Sequence, residues 1–253
     1  SSISLNKTSS YYINELRYPQ KGGFSSFLNS MKVDKKTNFQ YEVEIIDLKS
    51  KIIKFRNGHL SSYKTIISSI PLPEYNKIIK DLPSEISSQL NKLEWTSVFL
   101  VSIGYKIINH NEPDCIWFYI YDDSVYASRA YFTHKKSPNN VPKGYGGIQF
   151  EIYFNWNDKD NYDQSELIEN CVSFCKKSKI IIDKHDILSF NKIKYANIIM
   201  NDKRELYVKN IKTYFERFDL HTIGRYGEWD YLWSDGSLIS GKKKVEQIWG
   251  EKV

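Results

Sequence analysis

The chain has 253 residues, 41% of them hydrophobic and 26% charged, with a formal net charge of +6. That balance excludes a disordered or collagen-like chain and allows one large domain or two small ones around a sizeable core. The basic excess is spread as lysines among Asn and Ile with no interleaved basic motif, so no nucleic-acid partner is expected.

Residues 1–17 are polar and read as a tail or a connection, with a glycosylation sequon at Asn6-Lys7-Thr8. "YPQKGGFSSFLNSM" predicts a turn and then a short helix, with Gly22 and Gly23 at its start. "YEVEIIDLKSKIIKFRNGHLSSYKTIISSIP" predicts strand, turn, strand, an Asn57-Gly58 turn and a further strand, the Asn-Gly pair supplying the positive φ of a tight hairpin. "TIISSI" predicts a strand buried on both faces, stopped by Pro71 and Pro73. Residues 74–93 read as helical, divided at Pro83.

"TSVFLVSIGYK", "CIWFYIY", "SVYASRAYF" and "GGIQFEIYF" are aromatic and β-branched runs that predict an antiparallel sheet. "DQSELIENCVSFCKKS" predicts a helix opened by a capping box from Asp163 to Glu166. "ILSFNKIKYANIIM" returns to strand. "RELYVKNIKTYFERF" then spaces Leu206, Val208, Ile211, Tyr214, Phe215 and Phe218 as a helix does. A last helix carries Leu238, Ile239, Val245, Ile248 and Trp249.

Three cysteines argue against a disulfide framework. Cys171 and Cys175 share a helix face without a third ligand, so buried thiols are expected and no metal site is. No apolar run reaches the ~20 residues of a membrane span, and no signal peptide is visible, so a cytoplasmic location is expected. Hydrolase chemistry finds no support: there is no G-x-S-x-G elbow, and His59, His110, His134, His185 and His221 form no H-E-x-x-H pattern. The acidic pairs Asp122-Asp123 and Asp158 with Asp160 read as solvated turns.

The remaining candidates are anion-binding groups. Gly22-Gly23 and the Gly224–Gly227 run let a backbone approach a ligand, and a helix N-terminus favours phosphate. Arg225, between glycine and tyrosine, can fork onto a phosphate or carboxylate, or stand as a surface arginine beside a C-cap glycine. Strand alternation puts Ala127, Arg129 and Tyr131 on one face, where Arg129 is either an anion clamp or an arginine reaching out to solvent. Tyr195 is a further hydroxyl or phosphate partner.

Several stretches resemble flavin-dependent proteins of the amine-oxidase and protoporphyrinogen-oxidase-like superfamily, above all UDP-galactopyranose mutases of the eukaryotic type. "LRYPQKGGF" resembles their R-[YF]-P-x-x-G-G segment, and "VEIIDLKSKIIKFRNGHLSSYKTIISSIPL" their strand–turn–strand segment ending in L-I-S-T-x-P. "CIWFYIYDDSVYASRAYFTHKKSPNNVP", "GGIQFEIYF" and "GRYGEWDYLWSDGSLISG" are similar to later segments, in order, from about Leu16 to Ile248.

The resemblance implies an α/β (α+β) fold. A partial FAD-binding domain would be discontinuous, over 1–93 and 206–253, and a sheet-rich substrate-binding domain would span 94–205. It places Gly22, Gly23, Val43, Gly224, Arg225, Ser234, Asp235, Gly236 and Ser237 at FAD. Arg129, Tyr195 and Trp117 fall at a nucleotide-sugar substrate.

The implied reaction is a mutase-type isomerisation, with reduced flavin N5 as nucleophile on the anomeric carbon of a UDP-sugar, in polysaccharide biosynthesis. The alternatives are an FAD-dependent oxidoreductase of the amine-oxidase or protoporphyrinogen-oxidase type, and a non-catalytic fragment or paralogue binding a nucleotide or a partner protein. The family's G-x-G-x-x-G turn, its ribose-binding acidic residue and its histidine-bearing flavin loop have no counterpart here, and "WDYLWSDGSL" is shorter than the mutase segment. This chain alone is therefore expected to bind FAD weakly or not at all, and a missing N-terminal half is an expected partner.

Overall fold

The computed structural model describes residues 17–29, 41–107, 112–158, 162–180 and 184–250. The tail to residue 16 with its sequon, His110 and Asp160 lie outside the described residues. In chain order the elements are α1 (Ser26–Asn29), β1 (Val43–Asp47), β2 (Ile52–Phe55), β3 (Leu60–Ser62), β4 (Ile66–Ser68), α2 (Tyr75–Ile78), α3 (Ser84–Leu90) and β5 (Trp95–Lys106). Then come β6 (Trp117–Tyr119), β7 (Arg129–Phe132), α4 (Thr133–Lys136), β8 (Tyr145–Asn155), α5 (Gln164–Lys177), β9 (His185–Ile198), α6 (Arg204–Glu216), β10 (Leu220–Thr222), α7 (Gly224–Gly227) and α8 (Ser234–Trp249). The expectation of mixed helices and strands with an antiparallel sheet holds. The chain divides into two compact units: Ser1–Asp34, Leu100–Glu151 and Tyr162–Phe190 in the first, and Lys35–Phe99, Ile152–Asn161 and Asn191–Val253 in the second. The five-stranded sheet has the order β6-β7-β8-β5-β9.

In the first unit the sheet has two unlike faces. Phe118, Ala130, Phe132, Ile148 and Phe150 alternate onto one face, and Phe174 of α5 stacks on Phe118 and meets Phe150 edge-on. Cys171 and Cys175 are fully buried, and burial pushes both thiols up to about 12. The other face carries two cross-strand rows, Trp117–Tyr131–Gln149 and Tyr119–Arg129–Glu151. Gly146 is required where β8 passes β5, because an added Cβ would sit 2.7 Å from the buried Tyr105 ring. The capping box is half realised. Asp163 accepts from Ser165 N–H at 2.8 Å, but Glu166 accepts from the Tyr126 hydroxyl at 2.5 Å.

The second unit is built on the antiparallel meander β1-β2-β3 and on a parallel pair, β4 with β10. The Asn57-Gly58 hairpin forms as expected, with Gly58 at φ 84° and Asn57 Oδ1 accepting from His59 N–H at 3.0 Å. The "TIISSI" strand is shorter and less buried than expected. Among the described residues β10 is its only partner, and Ile66 and Ile67 stay half-buried. The core gathers Ile46, Tyr75, Leu90, Trp95, Phe215 and Trp229, with Val208, Ile211 and Phe215 forming the inward stripe of α6. Leu206, expected on that stripe, is exposed.

Candidate functional site

In the first unit, Arg129 projects from β7 opposite Glu151 of β8. Its Nη2 and Nε donate to the carboxylate at 2.6 and 2.8 Å. The sequence left this arginine between anion clamp and solvent; the structure places it half-buried on the open sheet face, held by a carboxylate that is 8% exposed. Two residues on, the Tyr131 hydroxyl donates to Gln149, whose amide donates to Ser102 Oγ at 2.7 Å. Burial first, then the Glu151 charge, pushes the Tyr131 phenol up to about 12. Trp117 pairs across from Tyr131 on edge strand β6 and remains 42% exposed.

Gly22 and Gly23 border the same region, at φ 81° and 67°. An added Cβ on Gly23 would meet the Tyr18 hydroxyl at 3.8 Å, and Lys136 lies over the rings of both Tyr18 and Tyr131. The structure thus brings Gly22, Gly23, Trp117 and Arg129 around one aromatic, cationic face. Sequence reasoning put Tyr131 on the face of Arg129 and missed Lys136, which lies beyond the strand. Strand alternation reaches Tyr131 but not Lys136, which belongs to the following turn.

In the second unit, Tyr195 of β9 lines a cleft of about 250 Å³ with Glu74, Asn76, Lys77, Asn91, Trp95 and Trp156. Trp95 stacks on Trp156 at 4.5 Å, and Tyr195 leans on Trp95 at 4.8 Å. The Tyr195 hydroxyl donates to Glu74 at 2.5 Å, and Lys194 pairs with the same carboxylate. Burial, then that bond to Glu74, holds the phenol well above its usual range.

Burial alone would raise the Glu74 pKa, but the bonds from Lys194 and Tyr195, with the nearby lysine charges, outweigh it and hold the group below its ordinary value. A depressed folded pKa stabilises above the ordinary carboxylate range, and that stability is lost as pH falls through the folded value. The melting-temperature difference between wild type and Glu74→Gln is therefore expected to be largest near neutral pH and to shrink in acid. A difference that stays constant across an acid titration of melting temperature would refute this. Val43 lines a second cleft of about 530 Å³ together with Tyr41, Glu42, Arg56 and Ile70, and Glu74 and Lys77 border both clefts.

Arg225 lies in the short α7 that follows β10. Its Nη1 donates to the Leu232 carbonyl at 3.2 Å. Its Nη2 reaches Asn197 Oδ1 at 2.9 Å and the Ala196 carbonyl at 3.4 Å. The guanidinium also covers the Tyr231 ring at 4.3 Å, and Nε is buried without a partner. Gly224, at φ 71°, donates its N–H to Ser240 Oγ at 2.9 Å. Helix α8 opens at Ser234 with no side-chain cap on its first N–H groups, and Asp235, Gly236 and Ser237 fill its first turn. A Cβ built on Gly224 would meet only Ser237 Cβ, at 3.9 Å, so backbone there is approachable.

An uncapped helix start beside a positive-φ glycine fits a polar chain such as the ribityl or pyrophosphate part of FAD. The Asp235 carboxylate favours hydroxyls over phosphate at this turn. The Arg225 guanidinium is already engaged within the unit. Among the described residues no helix is long and apolar enough to cross a membrane.

No protein-family model and no curated protein sequence matches the chain. Solved structures do. A reduced UDP-galactopyranose mutase matches with a TM-score of 0.79 and 22% identity, over 92% of this chain and 53% of that one. A protein assigned as a protoporphyrinogen oxidase from Exiguobacterium sp. 255-15 matches at 0.59 and 10% identity, over 78% and 43%. A CLA-producing fatty acid isomerase from P. acnes matches at 0.59 and 13% identity, over 83% of this chain and 47% of that one. The chain spans about half the length of these proteins, and over that half it has their fold.

Proposed function

We propose that the chain carries the substrate-phosphate face of a flavin-dependent enzyme acting on a nucleotide sugar, of the UDP-galactopyranose mutase kind. The observation that supports this most is the pair of rows on the open sheet face, Trp117–Tyr131–Gln149 and Tyr119–Arg129–Glu151. Aromatic rings there suit a base or sugar ring, and a planar guanidinium suits a diphosphate. In the second unit, the start of α8 with Gly224 would hold part of FAD, and the cleft at Val43 its adenine end. Arg225 serves the cofactor by fixing the loop that leads into α8. When bound, reduced flavin would supply the nucleophile, while the protein supplies orientation and charge.

The test is calorimetric titration of UDP into the purified protein and two variants. Arg129→Ala is expected to weaken UDP by on the order of tenfold to a hundredfold, the worth of a charge-assisted contact. Arg129→Lys keeps a charge for Glu151 and so preserves the fold, but lacks the fork and is expected to recover little. Unchanged UDP affinity in both variants would remove Arg129 from the substrate site. An absence of UDP binding in the wild type would remove the nucleotide reading.

A further inference from the structure

Lys136 closes α4, the single turn that follows β7, so the chain reverses over the strand it has just left. Its ammonium lies 3.5 Å from the centroid of the Tyr131 ring and 5.9 Å from that of Tyr18. The next turn is pinned in place. Ser137 Oγ donates to the Gln20 carbonyl at 2.5 Å, and the Asn139 amide donates to the same oxygen at 2.9 Å. The lysine is thereby fixed between the strand and the segment that carries Gly22 and Gly23.

Burial first lowers the Lys136 pKa, the nearby Arg129 charge lowers it further, and Glu151 opposes them. Among the described residues no carboxylate pairs with this ammonium, and Glu151 is bonded to Arg129. Arg129 has its Nε and Nη2 on the Glu151 carboxylate, so by itself this oppositely charged pair offers an anion little net attraction. Lys136 adds a positive charge that is half withdrawn from water and, among the described residues, lies over two ring faces with no carboxylate bonded to it. Such a charge is costly unless an anion compensates it.

We propose that Lys136 is a second anion-binding residue that works with Arg129 on the two phosphates of a nucleoside diphosphate. Arg129 supplies the directional fork and Lys136 the surplus charge. This rests on the reading of Arg129 as a substrate-phosphate residue. It also predicts that Tyr131 gives up its hold on the ammonium when phosphate arrives.

The experiment titrates UDP, uridine, inorganic pyrophosphate and FAD into wild type, Lys136→Met and Lys136→Arg, with the melting temperature of each ligand-free variant as the folding control. Lys136→Met is expected to weaken UDP and pyrophosphate by on the order of tenfold to a hundredfold and to leave uridine and FAD unchanged. Lys136→Arg restores most of the loss, and the salt dependence of UDP binding is shallower in Lys136→Met than in wild type. Equal UDP and pyrophosphate affinity in wild type and Lys136→Met overturns the proposal and leaves the nucleotide reading standing. A loss for FAD with none for UDP also overturns it, since the anion would then be the cofactor's. If wild type binds pyrophosphate through Lys136 but binds UDP no better, the lysine's role stands and the nucleotide reading falls. Binding of neither anion by folded wild type overturns both.

Discussion

Trp229→Ala is expected to cost about 3–5 kcal/mol, the usual range for removing a fully buried tryptophan. For a chain of this size that lowers the melting temperature by roughly 6–20 °C. The ring is 0% exposed and meets Trp95 and Tyr195 edge-on at 6.0 and 6.1 Å. Trp229 also sits at φ 52°, in the left-handed region, which costs a side-chain-bearing residue about 1–2 kcal/mol. Alanine would lose the burial and keep the strain; glycine would lose the burial and shed the strain. Trp229→Gly is therefore expected to melt above Trp229→Ala, the reverse of the order at ordinary positions. Thermal melts of the two variants measure this directly. Alanine as the more stable of the pair would mean that the strain is small.

Arg225→Ala is expected to lose about 1.5–3 kcal/mol, the worth of a charged donor's hydrogen bond, with a further loss where its acceptors are left unpaired. One guanidinium spans Leu232, Ala196 and Asn197, which ties the turn before α8 to strand β9. Lysine carries the charge but can reach only one of these acceptors at a time, so Arg225→Lys is expected to recover less than half of the loss. Melting of the ligand-free protein reads both variants. A full rescue by lysine would show that the charge over Tyr231 matters and the fork does not.

Local pattern was the legible part of this fold. The Asn57-Gly58 turn, the stripe of α6 and the aromatic strands follow from spacing and propensity, and the ordered motifs led to a fold that solved structures share. Partnerships across the chain were not legible. Glu151 lies 22 residues from Arg129, and Glu166, placed to close a capping box, is taken by Tyr126 from 40 residues away. Lys136 was hidden among many lysines because only the reversal at α4 sets it over Tyr131. Arg225 reads as a phosphate ligand beside its glycines until the carbonyls of β9 and Leu232 are seen to occupy it.

The parallel ladder of β4 and β10 has a consequence for synthesis on the ribosome. Ile66 pairs with Leu220 and Ser68 with Thr222, so every rung joins residues more than 150 positions apart. Such pairings form late, because loop closure must be completed before any contact rewards it. During translation "TIISSI" emerges about 150 residues ahead of its partner and waits while the whole intervening sheet is made. At a typical ~5–20 residues per second that interval lasts on the order of ten seconds or more. Through it, an apolar strand with both edges open is exposed to other nascent chains. Charges and prolines at Lys64, Pro71 and Pro73 flank the segment, where they discourage edge-to-edge pairing until Leu220 arrives.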